Sequence, residues 1–138
     1  MESGSVYNQT TLGADSGETT RQSWDDTDDA NGYSVQPIQG TYGLTLGTGD
    51  DAGGTRPANF QIVSGFFTNW RLRVDIYYVS STDLSVRLDS PPVAAGGTLS
   101  STSGYRCAEV TVDYYDTDGT YRTLAKGRRV YAYVPAPT

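Results

Sequence analysis

The sequence predicts an all-β protein, an antiparallel β-sandwich or barrel of about seven to eight strands with an extended N-terminal arm. Three features lead to this prediction. Apolar and polar residues alternate with a period of two in several short segments, stretches rich in glycine, serine and threonine separate them, and no segment has convincing helical periodicity. Short antiparallel strands joined by such turns are typical of sandwiches and barrels.

The strongest strand signal lies in residues 70–80. One side of this segment is apolar and the other is mostly charged: Trp70, Leu72, Val74, Ile76 and Tyr78 against Arg71, Arg73, Asp75 and Tyr77. A helix would scatter both sets around its circumference, whereas a half-buried strand separates them. We expect residues 60–67 to form the preceding strand, with a candidate bulge at Ser64 and Gly65 and a turn at residues 68–69.

Three shorter strands flank this pair. Residues 33–36 are predicted as a short edge strand, because Pro37 cannot donate a hydrogen bond within a sheet. Residues 42–46 alternate tyrosine or leucine with small residues, and residues 84–88 alternate aliphatic with polar residues. Residues 47–59 are predicted to form a loop, since turn-forming residues dominate them.

The C-terminal third contains the clearest hairpin. Residues 108–115 alternate apolar with polar residues, residues 120–125 are predicted as the returning strand, and the Asp-Gly pair between them tolerates the positive φ of a tight turn. We expect the chain to turn again at residues 126–128. A last strand is predicted at residues 130–134.

The sequence divides at about residue 32 into two predicted regions. Residues 1–32 are polar with isolated apolar residues, and residues 33–138 carry the strand pattern. Such an arm buries too little apolar surface to offset the entropy of ordering, so we expect another chain to order it, unless it lies along its own domain. Its candidate partner-binding residues are Val6, Tyr7, Leu12 and Trp24.

Composition argues against several classes of function. Ten lysines and arginines against sixteen aspartates and glutamates give a net charge of -6, which disfavours binding to nucleic acid phosphates. The sequence contains no histidine, which excludes histidine-dependent triads and histidine metal ligands, and its single cysteine, Cys107, cannot form an internal disulfide. We expect neither a secretory signal nor a segment long and apolar enough to span a bilayer.

Clustered aspartates are the nearest approach to a metal motif. Oxygen ligands before Asn31 and Gly32 could suit calcium, but their spacing departs from that of an EF-type loop and no glutamate closes it. A solvated acidic turn is the alternative, and we predict no cofactor. The candidate ligands are Asp25, Asp26, Asp28 and Asp29.

Paired carboxylates could also support glycoside hydrolysis, which needs two acids at a fixed separation. With three glutamates and no other catalytic constellation, the sequence predicts no catalytic residue and no enzyme. A small esterase or glycosidase would require two carboxylates that face one cleft.

Tyrosine is abundant, with eleven in the chain. Several tyrosines lie opposite the aliphatic positions of their strands, where they could anchor a protein interface or pack across strands in a core. We expect an interface. The candidates are Tyr77, Tyr115, Tyr131 and Tyr133.

Together, the β-only pattern, the polar arm, the tyrosine-rich strands and the lack of a catalytic set resemble the small β-sandwich accessory proteins of tailed-virus particles, which decorate or cement capsids. The β-barrel neck proteins that join head to tail are a looser likeness. The resemblance covers the architecture of the whole chain without a diagnostic motif, so it transfers no functional residue. It implies a non-enzymatic structural protein located in the virion, bound to capsid or other virion proteins and often a homo-oligomer. We expect no nucleic acid or membrane partner.

A carbohydrate-binding β-sandwich is the alternative. Its exposed tyrosine or tryptophan side chains would stack on sugar rings. The two functions differ measurably, because a carbohydrate module folds and binds glycans alone, whereas the arm of a virion protein becomes ordered in an assembly.

Overall fold

The computed structural model describes residues 11–40, 43–48 and 56–132. These residues form one open sheet of four strands in the order β1-β2-β3-β4. The strands are β1 (Ser34–Val35), β2 (Trp70–Tyr78), β3 (Tyr105–Tyr115) and β4 (Tyr121–Ala132). Three short 3-10 helices lie at Arg21–Ser23, Thr27–Ala30 and Ala58–Phe60. Among the described residues, no helix is long and apolar enough to cross a membrane.

The all-β prediction is confirmed. β2 covers most of the segment with the strongest alternation, and β3 and β4 form the predicted hairpin. At the hairpin tip, the N–H of Asp116 donates to the Thr120 oxygen at 2.8 Å, and the N–H of Gly119 donates to the Asp116 oxygen at 3.1 Å. Gly119 has a φ of 83°, a conformation that favours glycine in this turn.

The predicted strand at residues 60–67 is wrong. The segment continues from the last residue of a 3-10 helix into successive turns that end just before β2. Its apolar run does not alternate beyond the first residues, and Gly65 adopts a φ of 81°, which a regular strand does not contain. The residues therefore form a loop that leads into β2.

Two further predicted strands are reduced to single bridges. Residues 84–88 pair with the end of the central strand only through Arg87 and Val79. Thr45 pairs in the same isolated way with Gln39, and residue 42 of the predicted strand at 42–46 lies outside the described residues. Short alternating segments thus approach the sheet without extending it.

β4 is one continuous strand where the sequence predicted two strands and a turn. The predicted turn at residues 126–128 is therefore wrong. Residues 133–134 of the predicted last strand lie outside the described residues.

The residues of β4 do not alternate strictly between the two faces of the sheet along the whole strand. Thr123 donates a hydrogen bond to Asp113 of β3, whereas Val130 packs on the cluster that contains Cys107 of β3. Alternate residues of a strand point to opposite faces, so an odd and an even residue of β4 share one face only if an extra residue intervenes. β4 therefore contains a bulge, and Gly127 lies in the interval that holds it.

Contacts divide the described residues into two compact units. The first unit comprises residues 11–33, 74–109 and 127–132, and the second comprises residues 34–40, 43–48, 56–73 and 110–126. Seven of the eight buried hydrophobic residues found in the described chain belong to the first unit. The second unit therefore has little hydrophobic core of its own.

The first unit buries both faces of its part of the sheet. One cluster consists of Leu12, Tyr78 and Leu99 with Leu88 and Val93, and the other consists of Tyr77, Val79 and Cys107 with Tyr105 and Val130. The neighbours Tyr77 and Tyr78 belong to different clusters, as expected where both faces of a strand are covered.

Part of the predicted arm belongs to this core. Leu12 is 1% exposed. The Asp28 carboxylate forms a buried ion pair with Arg106 of β3, with a distance of 2.8 Å between Oδ1 and Nη1. Oδ1 of Asn31 accepts the N–H of Ile76 at 2.9 Å. These polar side chains therefore find their partners within the same chain.

The expectation that residues 1–32 depend on another molecule for order is corrected for residues 11–32. Their local sequence is polar, but their partners lie far along the chain and satisfy the buried polar groups. Residues 1–10, which include Val6 and Tyr7, lie outside the described residues. The domain boundary at residue 32 stays a prediction.

Candidate functional site

The candidate site is the face of the sheet that carries apolar side chains in the second unit. Val35 of β1 pairs with Leu72 of β2. The N–H of Tyr115 donates to the Asn69 oxygen at 2.8 Å, and this antiparallel register places Leu72 opposite Val112 of β3. Three strands therefore each contribute an aliphatic side chain to one row.

β4 completes the row. The hairpin register that begins at the Asp-Gly turn places Leu124 opposite Val112. On the same face, the rings of Trp70 and Tyr114 meet edge to face with centroids 6.4 Å apart, and Val110 lies two residues from Val112. Apolar side chains thus extend across all four strands.

We call this set the apolar face: Val35, Trp70, Leu72, Val110, Val112, Tyr114 and Leu124. None of its members is buried, and Val110 and Leu124 are 37% and 43% exposed. A sheet with an apolar face ordinarily buries it against a second layer about 10 Å away. The described residues form a single sheet and supply no second sheet for this purpose.

The segment before β2 adds more apolar surface. We call residues 60–67 the aromatic loop. Four of its large side chains are 41–80% exposed: Phe60, Ile62, Val63 and Phe66. The rings of Phe66 and Phe67 lie 6.1 and 5.3 Å from that of Trp70. The aromatic loop is therefore continuous with the apolar face, and the two together form what we call the docking surface.

A groove of about 410 Å³ lies along the aromatic loop. The loop is tied to one wall by the N–H of Ile62, which donates to the Gly47 oxygen at 3.1 Å. Gly47 has a φ of 84°, and a Cβ at this position would overlap Cγ1 of Ile62. Glycine therefore permits the close approach that holds the loop.

Gly47→Ala is expected to cost about 1–2 kcal/mol more stability than Gly43→Ala. Both glycines have φ near 80°, so the backbone strain is shared, but no described atom lies within 4 Å of a Cβ at Gly43, whereas a methyl group at Gly47 would collide with Ile62. Urea denaturation measures both costs. Equal costs would contradict the anchoring of the aromatic loop at Gly47.

The opposite face of the second unit is polar and closely paired. The side chain of Asp113 is 1% exposed, and it accepts hydrogen bonds from Arg71 at 2.9 Å, Arg73 at 2.6 Å and Thr123 at 3.1 Å. Burial alone would raise the pKa of Asp113, but these hydrogen bonds outweigh it and bring the pKa to about 2. The Arg71 guanidinium also lies 3.3 Å over the Tyr121 ring. The polar face thus satisfies its charges internally.

The tyrosines predicted to bind a partner lie in different environments. Tyr77 is 5% exposed, so the expectation that it lies on the surface is wrong. Burial raises the pKa of Tyr77 to about 12, which keeps the phenol neutral. Tyr115 is 39% exposed, and its ring lies 4.9 Å from that of Tyr121. Tyr131 is half-buried, and Tyr133 lies outside the described residues.

Those partner-binding candidates of the arm that the structure describes lie within the first unit. Leu12 belongs to a core cluster. Trp24 is half-buried and meets Tyr33 edge to face, with ring centroids 5.4 Å apart. Arg21 lies 5.3 Å over the same Tyr33 ring. The structure therefore brings none of the described arm candidates into the second unit.

The candidate calcium ligands separate into two groups. Asp28 forms the buried ion pair with Arg106. Oδ2 of Asp29 accepts the N–H groups of Asp25 and Asp26 at 2.9 and 2.8 Å, at the start of a 3-10 helix. Asp29 is the third residue of this helix, and its side chain accepts the N–H of the N-cap residue Asp26, as in a capping box.

Glu18 joins the second group, which sequence spacing did not indicate. Glu18, Asp25 and Asp29 each place one carboxylate oxygen within 4.8 Å of the others. The N–H of Asp15 lowers the pKa of Glu18, but burial and the charges of Asp29 and Asp25 together raise it above its ordinary value. The three side chains form an acidic turn that repels added negative charge.

Sequence reasoning missed the aromatic loop as an exposed surface. Apolar runs are usually buried, so the composition of residues 60–67 favours a buried strand over an exposed loop. The available signal was the Ser64-Gly65 pair, which interrupts the run with turn-forming residues. The apolar face was visible in the alternation of β2, but its exposure depends on the number of layers, which alternation does not give.

The docking surface thus combines aliphatic and aromatic side chains from four strands and one loop. Continuous apolar surfaces of this kind ordinarily bind another protein. Comparison with known proteins adds no assignment, because no protein-family model, no curated protein and no solved structure matches the chain.

Proposed function

We propose that the chain is a non-enzymatic structural subunit of a virus particle, in which a neighbouring protein covers the docking surface. The observation that carries the proposal is the apolar row across the sheet, with one residue from each of four strands and none of them buried. Single exposed apolar residues are ordinary, whereas a continuous patch marks an interaction site. In the particle, the cover would complete the two-layer sandwich that the strand pattern predicts.

The size of the docking surface suits a contact that is repeated many times. Its exposed side chains amount to on the order of 700 Å², if a whole large apolar side chain presents roughly 200 Å². At about 25 cal/mol per Å², burial contributes on the order of 17 kcal/mol, against association costs of roughly 4–15 kcal/mol. Roughly 2–13 kcal/mol of favourable free energy remains for one pair of molecules, and a particle that presents many copies strengthens the contact further through avidity.

The sheet, rather than the arm, provides the attachment in this proposal. Residues 11–32 are engaged in the core of the first unit, where they are not available to drape over a neighbour. The exposed ring pair of Tyr115 and Tyr121 lies on the polar face and offers a second contact to other virion proteins. Tyr115 therefore remains a candidate for partner binding.

Mass spectrometry of purified particles tests this function. Virus particles from a culture that produces the chain are banded by density, washed in high salt, and analysed for the ratio of the chain to the major capsid protein. We expect a fixed ratio that survives the wash, because salt screens ion pairs but does not weaken apolar contacts. Recovery of the chain only outside the particles would contradict the proposal.

A glycan array tests the alternative with the same protein. The purified full-length chain is labelled and incubated with immobilised oligosaccharides. We expect no glycan-dependent signal, since seven of the eleven large hydrophobic side chains that are exposed among the described residues are aliphatic and cannot stack on sugar rings. Specific sugar binding by a chain that is absent from particles would favour the carbohydrate-binding function.

A further inference from the structure

We infer that the molecule covering the docking surface is a second copy of this chain, related to the first by a two-fold axis. The inference rests on the proposed function, because it names the neighbouring protein that covers the same surface. Other virion proteins then contact the exposed ring pair of Tyr115 and Tyr121 on the polar face. Each copy supplies one layer of four strands, so the pair forms the sandwich whose second layer is not formed by the described residues of one chain. Two-fold dimers are the commonest symmetric assembly of soluble proteins.

The two layers match in shape. Sheets that pack face to face keep their strand directions within about 30° of each other and interdigitate their side chains. The row of Val35, Leu72, Val112 and Leu124 crosses every strand, so a second copy presents a row of the same width and composition. Each aliphatic row can therefore fill the spaces between side chains of the other.

Charge selects the orientation of the second copy. Arg122 and Lys126 flank Leu124 on the same face of β4, and both are exposed. A two-fold axis parallel to the strands places β4 of one copy over β1 of the other, where Val35, the residue of β1 on this face, carries no charge. The cations of the two copies then lie at opposite edges of the dimer, which avoids like-charge repulsion.

The contact area is close to that of a stable dimer. The docking surface offers on the order of 700 Å² per copy, compared with about 800 Å² per partner in an interface of standard size. An axis parallel to the strands preserves strand direction, so the two aromatic loops, which lead into β2, meet at the same end of the dimer. Val63 and Phe66, which are 80% and 57% exposed, are then covered by the other copy.

Sedimentation velocity of the purified full-length chain tests the dimer. We expect wild type to sediment as a dimer of about 30 kDa, twice the 14.9 kDa of one chain, and to dissociate on dilution. Val110→Lys should weaken association by about 30-fold or more, because a charge would enter the apolar contact. Val86→Lys is the matched control, since Val86 is 47% exposed in the first unit, and it should leave the dimer unchanged.

A second variant keeps the test decisive if Val110→Lys does not fold. Leu124→Lys lies on the edge strand, is 43% exposed in the wild type, and should also weaken the dimer. Circular dichroism and thermal unfolding identify which variants are folded. A wild type that stays monomeric at high concentration, or a folded Val110→Lys or Leu124→Lys variant that dimerises like wild type, would overturn the inference.

Tryptophan fluorescence provides a test in a chain whose docking surface is intact. In a Trp24→Phe background, Trp70 is the one remaining tryptophan, and it lies on the apolar face. We expect its emission to shift to the red as the protein is diluted through the dissociation range, because the indole becomes exposed to water. Emission that is independent of concentration would contradict the placement of the interface.

The two proposals fail in different ways. A chain that is present in purified particles but monomeric in solution contradicts the second copy and leaves the virion function standing. A chain that dimerises through Val110 but is absent from particles contradicts the virion function and leaves the dimer standing.

Discussion

Arg106→Met is expected to lower the free energy of unfolding by about 3–5 kcal/mol. The side chains of Arg106 and Asp28 are 0% and 1% exposed, and their charged atoms lie 2.8 Å apart. Without the guanidinium, the Asp28 carboxylate would be buried without its counter-charge. The hydroxyl of Tyr78, which accepts an N–H of Arg106 at 3.1 Å, would also lose this donor.

A double-mutant cycle measures how strongly the two charges depend on each other. Asp28→Asn, Arg106→Met and the double variant are compared by urea denaturation, and the double variant should be less destabilised than the sum of the single variants. Arg87→Met is the control, because Arg87 pairs with Asp75 at 2.6 Å but the two side chains are 19% and 24% exposed. We expect it to cost about 1 kcal/mol. Additive costs in the cycle would show that the buried pair does not act as a unit.

Asp113→Asn is expected to cost about 2 kcal/mol near neutral pH and little near pH 2. Burial alone raises the pKa of Asp113, but hydrogen bonds from Arg73, Arg71 and Thr123 bring it from 3.8 down to about 2 in the folded chain. A lowered pKa means that the fold favours the ionised carboxylate. This stabilisation is fully present above about pH 4 and is lost as the pH falls towards about 2.

Urea denaturation of wild type and Asp113→Asn at several pH values checks this dependence. The difference between their unfolding free energies should shrink as the pH falls below about 4. Asp118→Asn is the control, because hydrogen bonds from Thr120 also lower the pKa of Asp118, but its side chain is exposed in the hairpin turn. The pH dependence of that variant should stay close to wild type. A difference at Asp113 that does not change with pH would contradict the assigned network.

Local sequence pattern was sufficient to predict the centre of the sheet. The alternation in residues 70–80 indicates β2, and the Asp-Gly turn after the alternating residues 108–115 indicates the β3-β4 hairpin. Both signals are local, because strand period and turn geometry depend on neighbouring residues. Pro37 is a local signal of the same kind, because a proline at the end of β1 predicts an edge strand.

Long-range pairing could not be predicted in the same way. The partner of Asp28 lies 78 residues away at Arg106, and a polar segment therefore resembled a free arm in the sequence. The alternation of residues 84–88 satisfied the strand pattern, but a strand also needs a neighbour along its length, and the structure supplies one bridge. The sequence does not predict the aromatic loop, because apolar composition alone does not distinguish a buried strand from an exposed loop.

The bulge and the charges of β4 are features that oppose edge-to-edge pairing with other strands. β4 is an edge strand among the described residues, and an open edge of this length could recruit further strands into an amyloid-like ribbon. Four of the ten cations of the chain lie on β4, at Arg122, Lys126, Arg128 and Arg129. Two such edges would repel each other, and the bulge would interrupt the backbone hydrogen bonds between them. Association through strand edges is therefore suppressed, whereas association through the apolar faces of two copies can stop at a closed dimer.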